Sequence, residues 1–206
     1  MGKHAQSVDT LLLARIQEHR LGWVFTPVDF MDLGSRTAVS TALKRYKASG
    51  TIRRLGRGLY DTPRKHPKLG ILWPKMETLT DAIKRRDSVR LQPTGAYAAN
   101  LLGLSEQVPM RVLFLTDGPE RKINLGNLKI TFKHTTPRNM ATAGRISGSV
   151  IQALRWLGRH NVDDKVVGIL CRKLPARDRH QLLSDMRYAP AWIGDVMRRV
   201  VDQESS

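Results

Sequence analysis

Between Ser35 and Tyr60 the chain carries seven Lys or Arg and no Asp or Glu. The cations are Arg36, Lys44, Arg45, Lys47, Arg53, Arg54 and Arg57, and the nearest acids are the bordering Asp32 and Asp61. A solvated helix face ordinarily mixes both signs, because opposite charges three or four residues apart support the helix. A stretch that gives up this support offers a different chemistry, the neutralisation of an external polyanion. Ser35, Thr37, Ser40 and Thr41 are interleaved with the cations. Short hydroxyl side chains and a forked guanidinium such as that of Arg36 suit base edges, whereas Lys44, Arg45 and Lys47 suit phosphates. Arg53, Arg54 and Arg57 follow as a second group fit for phosphates or for a narrow minor groove.

Other chemistries find little support. The six histidines, at 4, 19, 66, 134, 160 and 180, show no metal-binding spacing, and Cys171 is the single cysteine. The pair Gly34-Ser35 resembles the Gly-Ser of nucleotidyltransferases, but no nearby pair of carboxylates follows to hold metal ions. No G-x-S-x-G elbow occurs. Asp117-Gly118-Pro119 reads as a turn between strands. Cys171, among Val166, Val167, Ile169 and Leu170, reads as a core thiol, and Trp156 and Trp192 read as packing residues. No catalytic residue, metal ligand or cofactor is therefore assigned, and the chain is not expected to be an enzyme.

The basic stretch needs elements to hold it. A helix is predicted from Ser7 to His19, with Ser7 as its cap and Val8, Leu11, Leu12 and Ile16 at helical spacing. Thr26-Pro27 opens a short second helix, which Leu33-Gly34 ends. Ser35 caps a third, running to about Ser49 and closed by Gly50. Its stripe of Val39, Ala42, Leu43 and Tyr46 should face inward, and Thr37, Ser40, Thr41 and Lys44 outward. Ile52, Leu55, Leu59 and Tyr60 bracket Gly56-Arg57-Gly58, the pattern of a two-stranded hairpin with a basic tip. Helix, short helix, tight turn, helix and basic hairpin in that order predict a winged helix-turn-helix.

Residues 63–75, with three prolines and four Lys or Arg, read as a linker that also touches backbone phosphates. The organisation expected is therefore a DNA-binding domain over 1–62, a linker over 63–75, and a mixed α+β domain over 76–206 with a small sheet and C-terminal helices. In that second domain helices are predicted at 77–87, 94–102 and 146–159, then near 163–172, 176–187 and 190–201. Strands are predicted at "VRLQP", at "RVLFLTD", whose near-continuous apolar run suits burial on both faces, and on either side of Gly126-Asn127.

Composition agrees with a nucleic-acid partner. The 206 residues carry a formal net charge of +17, with pI about 10.8. The charge is spread through the chain, +9 over residues 1–75 and +8 over 76–206. Such an excess favours polyanions. The apolar share of 41% is enough for a core. The lone cysteine fits a reducing cytoplasm. The three-Leu run ending at Arg15 is not expected to act as a signal peptide, and no apolar window reaches membrane-spanning length. Double-stranded DNA is the expected partner, with an RNA-binding or general nucleic-acid-binding regulator as the alternative. Without a heptad seam, a monomer or weak dimer is expected.

The segments "TALKRYKASGTIRRLGRGLYDTPRKHPKLG", "RLQPTGAYAANLLGLSEQVP" and "VLFLTDGPERKINLG" together resemble the bacterial abortive-infection antitoxins called AbiEi, over about residues 8–157. The resemblance implies a winged helix that binds inverted repeats in the protein's own promoter and represses transcription. It also implies a C-terminal domain that antagonises a nucleotidyltransferase-like toxin indirectly (type IV), without a stable complex. The DNA role it implies falls on Arg36, Thr37, Ser40, Lys44, Arg45, Arg53, Arg54 and Arg57. No residue is assigned to the antitoxin role.

Overall fold

A computed structural model describes residues 7–203. The protein is mixed α+β and divides into two compact units, 1–88 and 89–206. The boundary at Ser88/Val89 replaces the expected one near residues 62–76. The helix expected over 77–87 belongs to the first unit.

In the first unit, α1 spans Val8–Glu18 and Ser7 accepts a hydrogen bond from the Thr10 N–H, as a helix cap does. The short strand β1, Val24–Phe25, follows. Pro27–Phe30 then form one 3-10 turn rather than an α-helix. Asp29 holds that turn, accepting from the Thr26 N–H (2.7 Å) and hydroxyl (3.0 Å). Helix α2 spans Arg36–Ala48, and the Ser35 hydroxyl accepts from the Ala38 N–H at 3.2 Å. The expected stripe is its inner face: Val39, Ala42 and Leu43 are buried against Leu12, Ile16, Phe25, Phe30 and Ile52, with half-buried Tyr46 beside them.

Strands β2, Arg53–Gly56, and β3, Leu59–Asp61, form the expected hairpin. Gly58 sits at its tip with φ +62°, a conformation that favours glycine. β3 also pairs with β1, so the sheet order is β1-β3-β2. Residues 63–75 are not a bare linker. Within them β4, Arg64–His66, and β5, Gly70–Leu72, form a second antiparallel hairpin, and α3, Met76–Asp87, follows.

The second unit has a four-stranded sheet of order β6-β7-β9-β8, from Leu91–Thr94, Arg111–Thr116, Leu128–His134 and Arg121–Leu125 respectively. β7 and β9 are parallel and the other pairs antiparallel. β7 is not buried on both faces. Val112, Phe114 and Thr116 are buried, while Leu113 and Leu115 on the opposite face stay half-exposed. The Tyr97 ring of α4, Gly95–Leu101, meets Phe114 edge-on, 5.5 Å between centroids. Helices α5 (Ile146–Leu157), α6 (Asp164–Lys173), α7 (Ala176–Asp185) and α8 (Ala191–Asp202) build a second core with α4. Ser147 of α5 hydrogen-bonds the buried Asp185 of α7, and Arg145 lies 3.2 Å from the same carboxylate. Cys171 and Trp192 pack against this core as expected, but Trp156 is exposed.

Candidate nucleic-acid interface

Helix α2 positions most of the residues singled out above. At 3.6 residues per turn, Arg36, Ser40, Lys44 and Lys47 fall in one row, and Thr37, Thr41 and Arg45 in the next. All seven are exposed, as is the cap Ser35. The buried stripe occupies the opposite side. Among the described residues no acidic side chain pairs with Arg36, Lys44 or Lys47.

The second row borders a groove of about 460 Å³ between α2 and the first turn of α1, lined by Ser7, Val8, Asp9, Ser35, Thr37, Ala38, Thr41, Ala42 and Arg45. Asp9 is the acid here. Its Oδ2 accepts from the Tyr46 hydroxyl at 2.9 Å and from Arg45 at 3.2 Å. Burial and the hydrogen bond to Asp9 push the Tyr46 phenol up, so it remains a donor at neutral pH. Arg45 is thus exposed yet paired with an acid, unlike Arg36, Lys44 and Lys47. Gly34 lets the helices come this close: a Cβ there would stand 2.6 Å from the Val8 Cγ2.

The three hairpin arginines separate. Arg57 is exposed at the tip, without an acidic partner among the described residues, and Arg54 is exposed with its Nε donating to the Gly56 carbonyl at 3.1 Å. The tip is braced from α3: Arg86 donates to the carbonyls of Arg57 (3.0 Å) and Gly58 (3.3 Å) and is itself paired with Asp87.

Arg53, expected to share the DNA role, differs from the other two in being held by an acid. Its Nε and one terminal nitrogen reach the two oxygens of Asp61 at 3.0 and 2.6 Å. The same terminal nitrogen donates to the Leu72 carbonyl at 2.9 Å, and the guanidinium lies 4.2 Å from the Trp73 ring centroid. The Asp61 side chain is only 1% exposed and that of Arg53 21%. A buried carboxylate needs a partner, and Arg53 supplies it.

The other bordering acid is neutralised as well. Asp32 accepts two hydrogen bonds of 2.7 Å from Arg15, which hold its carboxyl below the usual carboxylate range. From Leu33 to Met76 there are eleven Lys or Arg and a single acid, the buried Asp61. Sequence reasoning missed Asp9, the Arg53–Asp61 pair, the Arg86 brace and the β4–β5 hairpin. Only the last had a local signal, Pro67-Lys68-Leu69-Gly70 between extended segments.

Among the described residues no three of His, Cys, Asp and Glu gather into a metal-binding group, and no helix is long and apolar enough to cross a membrane. Residues 12–181 match the model of a family of unknown function, DUF6088. No curated protein matches the chain.

Proposed function

The chain belongs to the DUF6088 family, and from its basic first unit we propose that it is a sequence-specific double-stranded-DNA-binding regulator built on a winged helix-turn-helix. In this reading α2 is the recognition helix, Arg36, Thr37, Ser40 and Thr41 face base edges, and Lys44, Arg45 and Lys47 bind phosphates. The β2–β3 hairpin is the wing, carrying Arg54 and Arg57. One observation carries the reading. Apart from Ala48, the residues exposed on α2 and at the hairpin tip are cationic or hydroxylic, and Asp9, Asp32 and Asp61 are each tied to an arginine. A carboxylate left free there would repel a phosphate at close range.

The biological role we propose is repression of the protein's own promoter through inverted repeats, together with antagonism of a nucleotidyltransferase-like toxin. The second element rests on the resemblance of β6–α4 and the β7–β8 segment to AbiEi antitoxins. Both roles place the protein in the cytoplasm.

The test is binding to a labelled duplex from the upstream region across a salt series. About five phosphate contacts give log K against log salt a slope of about −4 to −5. Absence of any shift at low salt, or displacement by RNA at equal concentration, overturns the reading. Co-expression with a toxin encoded in the adjacent frame tests the antitoxin role: growth rescue supports it, and continued growth arrest overturns it.

A further inference from the structure

The β4–β5 hairpin has no part in the interface described so far, and its construction is that of an arm. One face is anchored. Arg64 packs on Gly22, and its cross-strand partner Leu72 offers the carbonyl that Arg53 binds. Arg53 thereby ties β5 to Asp61 of β3, and the Trp73 ring lies 4.2 Å from the same guanidinium. The opposite face has no such contacts among the described residues. Lys65 and Ile71 are cross-strand partners there and both are exposed.

The loop is ordered rather than loose. The ring nitrogen Nδ1 of His66 accepts from the N–H groups of Lys68 and Leu69, each at 3.2 Å. This staple holds Leu69 outward with 71% of its surface exposed, and Ile71 follows at 55%. An apolar tip on a basic ribbon is unusual for a surface that meets only water. From Thr62 to Met76 there is no acid, while Arg64, Lys65, Lys68 and Lys75 are cationic. Like charges disfavour a second copy of the same hairpin as its cover. A duplex satisfies both features: phosphates line the rims of the minor groove, and deoxyribose forms its apolar walls. Minor-groove binders combine Lys or Arg with exposed apolar side chains in this way. The groove is about 6 Å wide, so the tip of a two-stranded ribbon enters it and the body does not.

We propose that the β4–β5 hairpin is a second duplex-DNA contact, an arm whose Lys65, Lys68 and Leu69 enter a minor groove flanking the site held by α2. This rests on the DNA-binding reading above and extends its footprint by one groove.

Lys65→Ala/Lys68→Ala and Leu69→Ala are compared with the unaltered full chain on the upstream duplex, after circular dichroism confirms that each is folded. These side chains are exposed, so the fold should tolerate the changes. The lysine pair should reduce the magnitude of the salt slope by about 2 and erase hydroxyl-radical protection at one minor groove beside the core footprint. Leu69→Ala should weaken binding by about three- to tenfold with the salt slope unchanged, since it touches no phosphate. Slopes, affinities and footprints that match the unaltered chain overturn the arm and leave the α2 reading standing. Failure of the unaltered chain to bind overturns the reading beneath it. Loss of binding to phosphatidylserine vesicles without change on DNA assigns the surface to membranes and overturns the proposal as well.

Discussion

Replacing Arg53 by Ala separates a structural arginine from a DNA-binding one. The substitution strands the Asp61 carboxylate, whose side chain is 1% exposed and whose two oxygens receive hydrogen bonds of 3.0 and 2.6 Å from Arg53. Breaking a buried pair by removing one partner costs about 3–5 kcal/mol. The lost charged bond to the Leu72 carbonyl and the stacking on Trp73 act in the same direction. Against a typical stability of about 5–15 kcal/mol, this is a third or more of the whole. For a unit of this size the melting temperature should fall by roughly 12 °C or more. The assay is thermal unfolding followed by tryptophan fluorescence, with DNA affinity measured across salt below the transition. Arg53→Met/Asp61→Leu removes both charges and replaces them with apolar side chains of similar volume. It should recover most of the stability, because no buried ion is left unpaired. Its salt slope should match that of the unaltered chain. If Arg53→Ala melts within about 1 °C of the unaltered protein and its slope loses about one unit, Arg53 is a phosphate ligand and the assignment made here is wrong.

Three further outcomes are expected. Gly34→Ala places a Cβ 2.6 Å from the Val8 Cγ2 and should cost about 1–3 kcal/mol by overpacking; Gly34→Ala/Val8→Ala should restore the loss in urea denaturation, and equal destabilisation in both variants refutes the contact. Arg36→Ala should erase the preference for the upstream duplex over random sequence, whereas Arg57→Ala should weaken binding to both alike and lower the slope by about 1; competition binding reads the difference. In the second unit, burial raises the Asp117 carboxyl, but hydrogen bonds from the Arg90 side chain (2.8 Å) and backbone (2.8 Å) outweigh it and leave the group below its ordinary value. Its contribution is therefore complete above the unfolded-chain value and disappears as pH falls through the lowered one. Denaturation of Asp117→Asn should show a shallower acid-side loss than the unaltered chain, and identical profiles count against the pair.

Much of the fold could be read from local signals. Ser7 and Ser35 as caps, the Val39-Ala42-Leu43 stripe, the Gly56–Gly58 tip and the two strands around Gly126-Asn127 all depend on residues within a few positions of one another. Local chemistry therefore dictates them before any tertiary contact forms. The short second helix failed by degree. Pro27 at the first position and Asp29 reaching back to Thr26 make a sound start, but four residues hold only a 3-10 turn. The hairpin at 64–72 failed because prolines that bound a strand look, in sequence, like prolines that prevent one.

The site was legible as a composition and illegible as a partition. Counting charges from Ser35 to Tyr60 identifies seven cations of equal standing. The structure separates them by where the carboxylates lie: Asp9 is 36 residues from Arg45 of the helix, and Asp61 is 8 from Arg53 across the hairpin. Pairing across such separations is set by strand register and helix packing, which no charge count contains. Arg53 and Asp61 are cross-strand partners in β2 and β3, so the same register that forms the hairpin pairs one of its arginines with a buried acid. That arginine then fixes β5 and orients the second hairpin. The acid that appeared to border the basic surface thus organises it. A search of related chains for this device should look for the Arg–Asp pair across the first hairpin followed by an aromatic residue about twelve positions on, as Trp73 follows Asp61 here.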